Sequence, residues 1–267
     1  MSPSEPADNT NETAQPNSLL RPRWTKLRSG ALYAVGLMIA FGNWNDTKEL
    51  STSLYEGAIA HFTHQTELNQ LEQLDVGNYL AYSEALFGIP QVVKASRLDP
   101  DLQYRYYKAD KYLLTLQVRD QRITGYLVQT LTLEDSFNTA GPFTPPVPFT
   151  PLSLDTQPLA TVPFADEGFA LDNHNLVYFL ERHPMAAEGL YLNLYLGITE
   201  YGDPIPGLSQ AIGDLDQALV FDEEASSGKA LSAVRERYAP NFYGLSELDN
   251  QFMAEALLTR YEFNAYF

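Results

Sequence analysis

Apolar residues follow three different spacings along the chain. From Gly30 to Gly42 they form a near-continuous run, Gly-Ala-Leu-Tyr-Ala-Val-Gly-Leu-Met-Ile-Ala-Phe-Gly, without an acidic residue. Leu50, Leu54, Ala58 and Phe62 then recur at helical spacing behind Asp46-Thr-Lys-Glu49, which has the form of a capping box. A second helix is predicted over Tyr79 to Phe87, stopped by Gly88-Ile-Pro90. Strict alternation follows in Leu102, Tyr104 and Tyr106 and in Tyr112, Leu114, Leu116 and Val118, while Arg122 to Leu133 is rich in Ile, Thr, Tyr and Val. Ala109-Asp-Lys111 and Arg119-Asp-Gln121 make short polar joints, so an antiparallel meander with helices on one face is expected.

Beyond this the pattern changes. Seven prolines between Gly141 and Phe164 read as a stiff connector. Leu176 to Leu180 and Leu190 to Leu196 then read as strands, and Ser227 to Tyr238 and Phe252 to Tyr261 as short helices. The fold class is therefore α+β. The expected division is a tail over 1–20, a basic flank and anchor over 21–45, a first module over 46–138, a Pro-rich linker over 139–166 and a second aromatic-rich module over 167–267.

Charge bears on the anchor. Arg21, Arg23, Lys26 and Arg28 precede the apolar run, and Leu27 to Trp44 would rise about 27 Å as a helix, near the roughly 30 Å of a bilayer core. Arg28 would snorkel, and Trp24 and Trp44 would mark the two interfaces. The basic side faces the cytoplasm, which predicts a single-pass inner-membrane protein with its bulk on the periplasmic or extracellular side. A cleaved signal peptide, with Ala40-Phe-Gly42 at its cleavage site, and a buried core helix are the competing readings. After residue 30 the chain carries 31 acidic and 13 basic residues, a net charge of −18, which argues against nucleic acid. With no cysteine, disulfides, thiolate zinc sites and cysteine nucleophiles are excluded. No cofactor motif is read.

Candidate chemistry is sparse. His61 and His64 form a His-x-x-His pair, and Asp214, Asp216, Asp222, Glu223 and Glu224 form the densest acidic cluster. Either set supplies metal-ligand types, although the cluster lacks the EF-hand spacing and reads as a solvated loop. Gly207-Leu-Ser-Gln-Ala211 lacks the closing glycine of a nucleophile elbow, so Ser209 is not assigned a catalytic role.

The pieces "LDVG", "LFGIP", "YRYY", "YLLTLQVRD" and "ITGYLVQTL", from Leu74 to Leu133, occur in an order that resembles the SmpA/BamE family of small envelope lipoproteins. The chain departs from that family in lacking a lipid-bearing cysteine. The resemblance implies a binding fold without catalysis. The expectation is thus a membrane-anchored envelope module that engages a protein or a glycan, with a metal-assisted envelope hydrolase as the alternative.

Overall fold

Two residues set a tight reversal between two long strands. Asp120 and Gln121 both adopt left-handed φ, 50° and 62°, and join β3 (Tyr112–Arg119) to β4 (Arg122–Thr130). Successive left-handed residues give a two-residue turn the twist that flanking strands need. In the computed structural model, which describes residues 63–131, 141–164, 168–201, 204–221 and 224–267, this hairpin extends into one antiparallel sheet of eight strands. All described residues fall within a single compact unit, Ile59–Phe267.

The other strands are β1 (Val92–Ala95), β2 (Leu102–Lys108), β5 (Phe169–Asn173), β6 (Val177–Pro184), β7 (Asn193–Thr199) and β8 (Phe242–Ser246). Their order is β1-β2-β3-β4-β8-β7-β6-β5. Each half is a meander of four strands, and the halves meet where Leu127 of β4 lies opposite Gly244 of β8. One sheet thus runs through both of the modules expected from the sequence. The three strands expected between Leu102 and Leu133 are present, as are those near Leu176 and Leu194.

Helices cover both faces rather than one. On the first face, Leu114, Leu116 and Val118 of β3 and Leu194, Leu196 and Ile198 of β7 pack beneath α1 (Gln65–Leu71), α2 (Leu80–Phe87), α3 (Leu208–Val220) and α4 (Glu224–Arg237). On the second, Tyr104, Tyr106, Leu113, Leu127, Tyr195 and Phe242 pack beneath α5 (Asn250–Ala256) and α6 (Arg260–Tyr266). β3 is therefore buried along nearly its whole length, with successive residues feeding opposite cores.

Segment 141–164 is not a free spacer. Phe143, Val147, Leu152, Leu154 and Leu159 are all buried in the first core, so the prolines shape an irregular cover whose apolar residues are spent on packing. Asp214 and Asp216 lie in a helix rather than a loop, because Leu208, Ile212 and Leu215 recur at positions one, five and eight of α3 and are fully buried. The helix expected over Phe252 to Tyr261 is two helices, broken between Ala256 and Arg260 and restarted by a capping box between Thr259 and Glu262.

Among the described residues no helix is long and apolar enough to cross a membrane. The expected anchor, with Trp24, Arg28 and Trp44, and the helix expected from Asp46 lie outside the described residues.

Candidate interaction surface

α2 is positioned at both ends by the sheet. Its entry is tied to the β3–β4 hairpin by backbone bonds from Gly77 N to Ile123 O and from Leu80 N to Gln121 O, both 2.8 Å. Gly77, at φ 101°, makes the turn that allows this. Farther along, Glu84 accepts from Arg105 of β2 at 2.8 Å and the Phe87 ring lies 6.2 Å from that of Tyr107. The helix thus crosses from the hairpin tip toward the β1 edge. Gly88, at φ 79°, ends it.

The sequence of α2, Leu-Ala-Tyr-Ser-Glu-Ala-Leu-Phe, is apolar around almost its whole circumference, a composition normally buried on all sides. Only Leu80 and Ser83 are fully buried. Ala81 and Ala85 are exposed, and exposure reaches 75% at Tyr79, 47% at Tyr82 and 87% at Ile89. An outward apolar face on a helix fixed at both ends is a preformed contact surface. Sequence reading located this helix but not its outward face, because periodicity alone does not show which side of a mostly apolar helix is covered.

Two buried polar clusters hold the framework. Glu255 of α5 accepts from Arg97 N at 2.7 Å and from the Tyr104 hydroxyl at 2.9 Å, as well as from Ser96 Oγ. Burial alone would raise its carboxyl, but these bonds outweigh burial and hold it below the usual value. Burial pushes Tyr104 far above the ordinary phenol range, and Tyr112 up to about 12 with Glu67 adding to the rise. On the other face the Glu181 carboxylate is bound by Arg235 Nε at 2.7 Å, with His183 Nε2 at 3.3 Å from its second oxygen. Arg235 also donates to the carbonyl of Val162 at 2.6 Å, clamping segment 141–164 against β6.

The sequence-derived metal candidates are not brought together. His64 packs edge-on to Phe143 at 5.3 Å, with both ring nitrogens buried and lacking hydrogen-bond partners. Phe143 in turn stacks on Tyr112 at 5.7 Å, and the Glu67 carboxylate on the same helix is taken by Lys111 at 2.8 Å. His61, Asp222 and Glu223 lie outside the described residues. Asp214 and Asp216 are two positions apart on α3 and so point to different sides of the helix. Asp214 borders an open depression of about 420 Å³ with Gln217, Ala218 and Phe221. Among the described residues, no group of three or more His, Asp or Glu side chains is gathered for a metal. Ser209 Oγ donates to Asn173 Oδ1 at 2.8 Å, and its partner is therefore an amide rather than a base.

No protein-family model matches the chain, and no curated protein matches it. Among solved structures, a cysteine-rich secretory protein from Staphylococcus aureus subsp. aureus Mu50 aligns at 12% identity and a TM-score of 0.30, over 67% of this chain and 44% of that one. The chain thus spans less than half the length of that protein.

Proposed function

We propose that the chain is a non-catalytic interaction module of a bacterial cell envelope, tethered to the inner membrane through residues 27–44, that engages a protein partner through the outward face of α2. The observation that carries this reading is the exposure of Tyr82 on a helix held at both ends, together with Tyr79 at its N-cap and Ile89 just past its C-cap. Tyrosine offers large contact area at small conformational cost and is enriched where proteins meet. The strongly acidic bulk favours a partner whose apolar contact is framed by basic residues, and it disfavours an anionic lipid surface. The resemblance of Leu74 to Leu133 to small envelope lipoproteins supports the same class of role without adding a catalytic one.

The test is site-specific photocrosslinking of the full-length chain in the cells that make it. A photoreactive residue replaces Tyr82, Ile89 or, as an exposed control on α4, Ser232. One defined protein adduct from Tyr82 and Ile89, absent from Ser232 and lost when Tyr79→Asp is added to the Ile89 probe, is expected. Adducts to lipid alone, or the same adducts from all three positions, would overturn the proposal.

A further inference from the structure

The last two turns of α3 gather an acid, an amide and an aromatic ring around one depression. Asp214, Gln217, Ala218 and the C-cap residue Phe221 occupy positions i, i+3, i+4 and i+7, so they form one stripe along the helix. Together they line the open depression of about 420 Å³. That volume lies within the roughly 300–1,000 Å³ of sites that take a small group. Beside it the chain forms an apolar shoulder, with Phe221 66% and Val220 73% exposed and Leu219 exposed next to them.

Among the described residues no basic side chain pairs with the Asp214 carboxylate, and none lies over the Phe221 ring. The same two kinds of group hold a cation elsewhere in the chain. Arg235 Nε lies 2.7 Å from Glu181, and its guanidinium sits 5.1 Å over the Phe164 ring while donating to the Val162 carbonyl at 2.6 Å. A planar guanidinium pairs with a carboxylate and stacks on a ring at once, which the point charge of a lysine ammonium does less well. The α3 depression presents this combination of carboxylate and phenyl ring to solvent, with the Gln217 amide oxygen as a further acceptor.

We infer that this depression receives an arginine side chain of a partner protein, with the guanidinium on Asp214 and its stem across Ala218 and the Phe221 ring. Charge complementarity selects the occupant. With 34 acidic and 17 basic residues, the chain attracts a basic segment and repels both an anionic lipid surface and a second copy of itself. The apolar shoulder selects a protein over a free organic cation, because an apolar residue next to the arginine covers Leu219 and Val220. A hard metal ion fits less well, since the lining offers a single carboxylate where calcium takes about six to eight oxygens. The inference concerns a different helix from the α2 surface and does not depend on it.

The probe is a capped Gly-Leu-Arg-Leu-Gly peptide carrying rhodamine, titrated against the full-length chain in phosphatidylcholine nanodiscs and followed by fluorescence anisotropy above empty nanodiscs. Saturable binding is expected. Asp214→Asn and Phe221→Ala, both at exposed positions, are each expected to weaken it at least fivefold while the far-ultraviolet circular dichroism stays unchanged. Asp216→Asn removes the same charge from a different side of the helix and is expected to leave binding within twofold. A peptide with lysine in place of arginine is expected to bind at least threefold more weakly, and N-acetylarginine amide to bind at least tenfold more weakly. Equal losses from Asp214→Asn and Asp216→Asn would reduce the effect to net charge and overturn the inference. Absence of saturable binding, or equal binding by N-acetylarginine amide, would overturn it as well.

Discussion

Glu262 Oε1 stands 2.6 Å from Lys94 Nζ, a contact between the C-terminal helix α6 and the edge strand β1 that spans 168 positions of sequence. Glu262 also closes the capping box that starts α6, so one carboxylate both begins the helix and fastens it to the sheet. Burial alone would raise this carboxyl, but the Lys94 ammonium and the bonds from Thr259 outweigh it and hold the group below its ordinary value. A depressed carboxyl contributes stability above its unfolded-state value and loses it as pH falls through the folded-state value. Glu262→Gln is therefore expected to cost about 1 kcal/mol near neutral pH. Urea titrations of the two chains should converge only as pH falls through the depressed folded-state value of Glu262, where both side chains become neutral.

Glu255 serves the same face from inside the core. Its removal takes one acceptor from the buried Tyr104 hydroxyl, which also bonds the Phe252 carbonyl at 3.1 Å, and it frees the Ser96–Arg97 turn. Glu255→Ala is expected to destabilise the fold by about 2–3 kcal/mol, because buried partners lose their acceptor together. Tyr104→Phe removes only one donor and should cost about 1 kcal/mol. Chemical denaturation of both variants decides whether the cluster acts as a unit.

A close approach at the middle of the sheet predicts a larger effect. A Cβ on Gly197 of β7 would lie 2.3 Å from Phe242 Cζ and 2.4 Å from the carbonyl oxygen of Phe179. The second contact is with sheet backbone, which cannot move aside without disturbing the β6–β7 ladder. Gly197→Ala is expected to destabilise by about 3 kcal/mol, at the upper end for overpacking, with a fall in thermal midpoint that scanning calorimetry would show. Gly228→Ala, on α4 where an added Cβ meets nothing within 4 Å, is expected to be neutral or mildly stabilising.

The strands of the first meander were legible because alternating residues and short polar joints dictate their register locally. β1 was not, since Val92-Val-Lys-Ala95 is short and its exposed alternate positions make it resemble a loop. Nor was the union of the two halves, which depends on Phe242 to Ser246 lying between β4 and β7, a pairing set by packing across more than a hundred residues of chain. α3 was obscured because Asp214 and Asp216 suggest a solvated loop, while the three residues that bury the helix are spread over two turns. The prolines of 141–164 correctly mark irregular backbone, but composition does not reveal that Phe143, Val147 and Leu154 fill the first core. For the candidate surface, the sequence located α2 and its capping turn. The anchoring contacts that leave its outer face uncovered come from Arg105, Gln121 and Ile123, residues of the sheet.

The buried pair on the first face offers the sharpest energetic test. Glu181 is 1% exposed, Arg235 bonds it at 2.7 Å, and the same guanidinium reaches the Val162 carbonyl and stacks 5.1 Å from the Phe164 ring. Removing only the cation leaves a carboxylate in the core with His183 as its remaining charged-type neighbour. Arg235→Met should therefore cost about 3–5 kcal/mol. Glu181→Leu should be costly as well, since it leaves the guanidinium without its carboxylate, although Arg235 keeps the Val162 carbonyl. The double variant replaces a desolvated ion pair with apolar side chains of comparable size and is expected to recover at least half of the loss of Arg235→Met. A double-mutant cycle by urea denaturation measures this directly. Recovery would show that the pair fixes the position of segment 141–164 more than it adds net stability. Additive losses would instead show that the Val162 carbonyl depends on Arg235, because its acceptor would be left bare in both chains that lack the guanidinium.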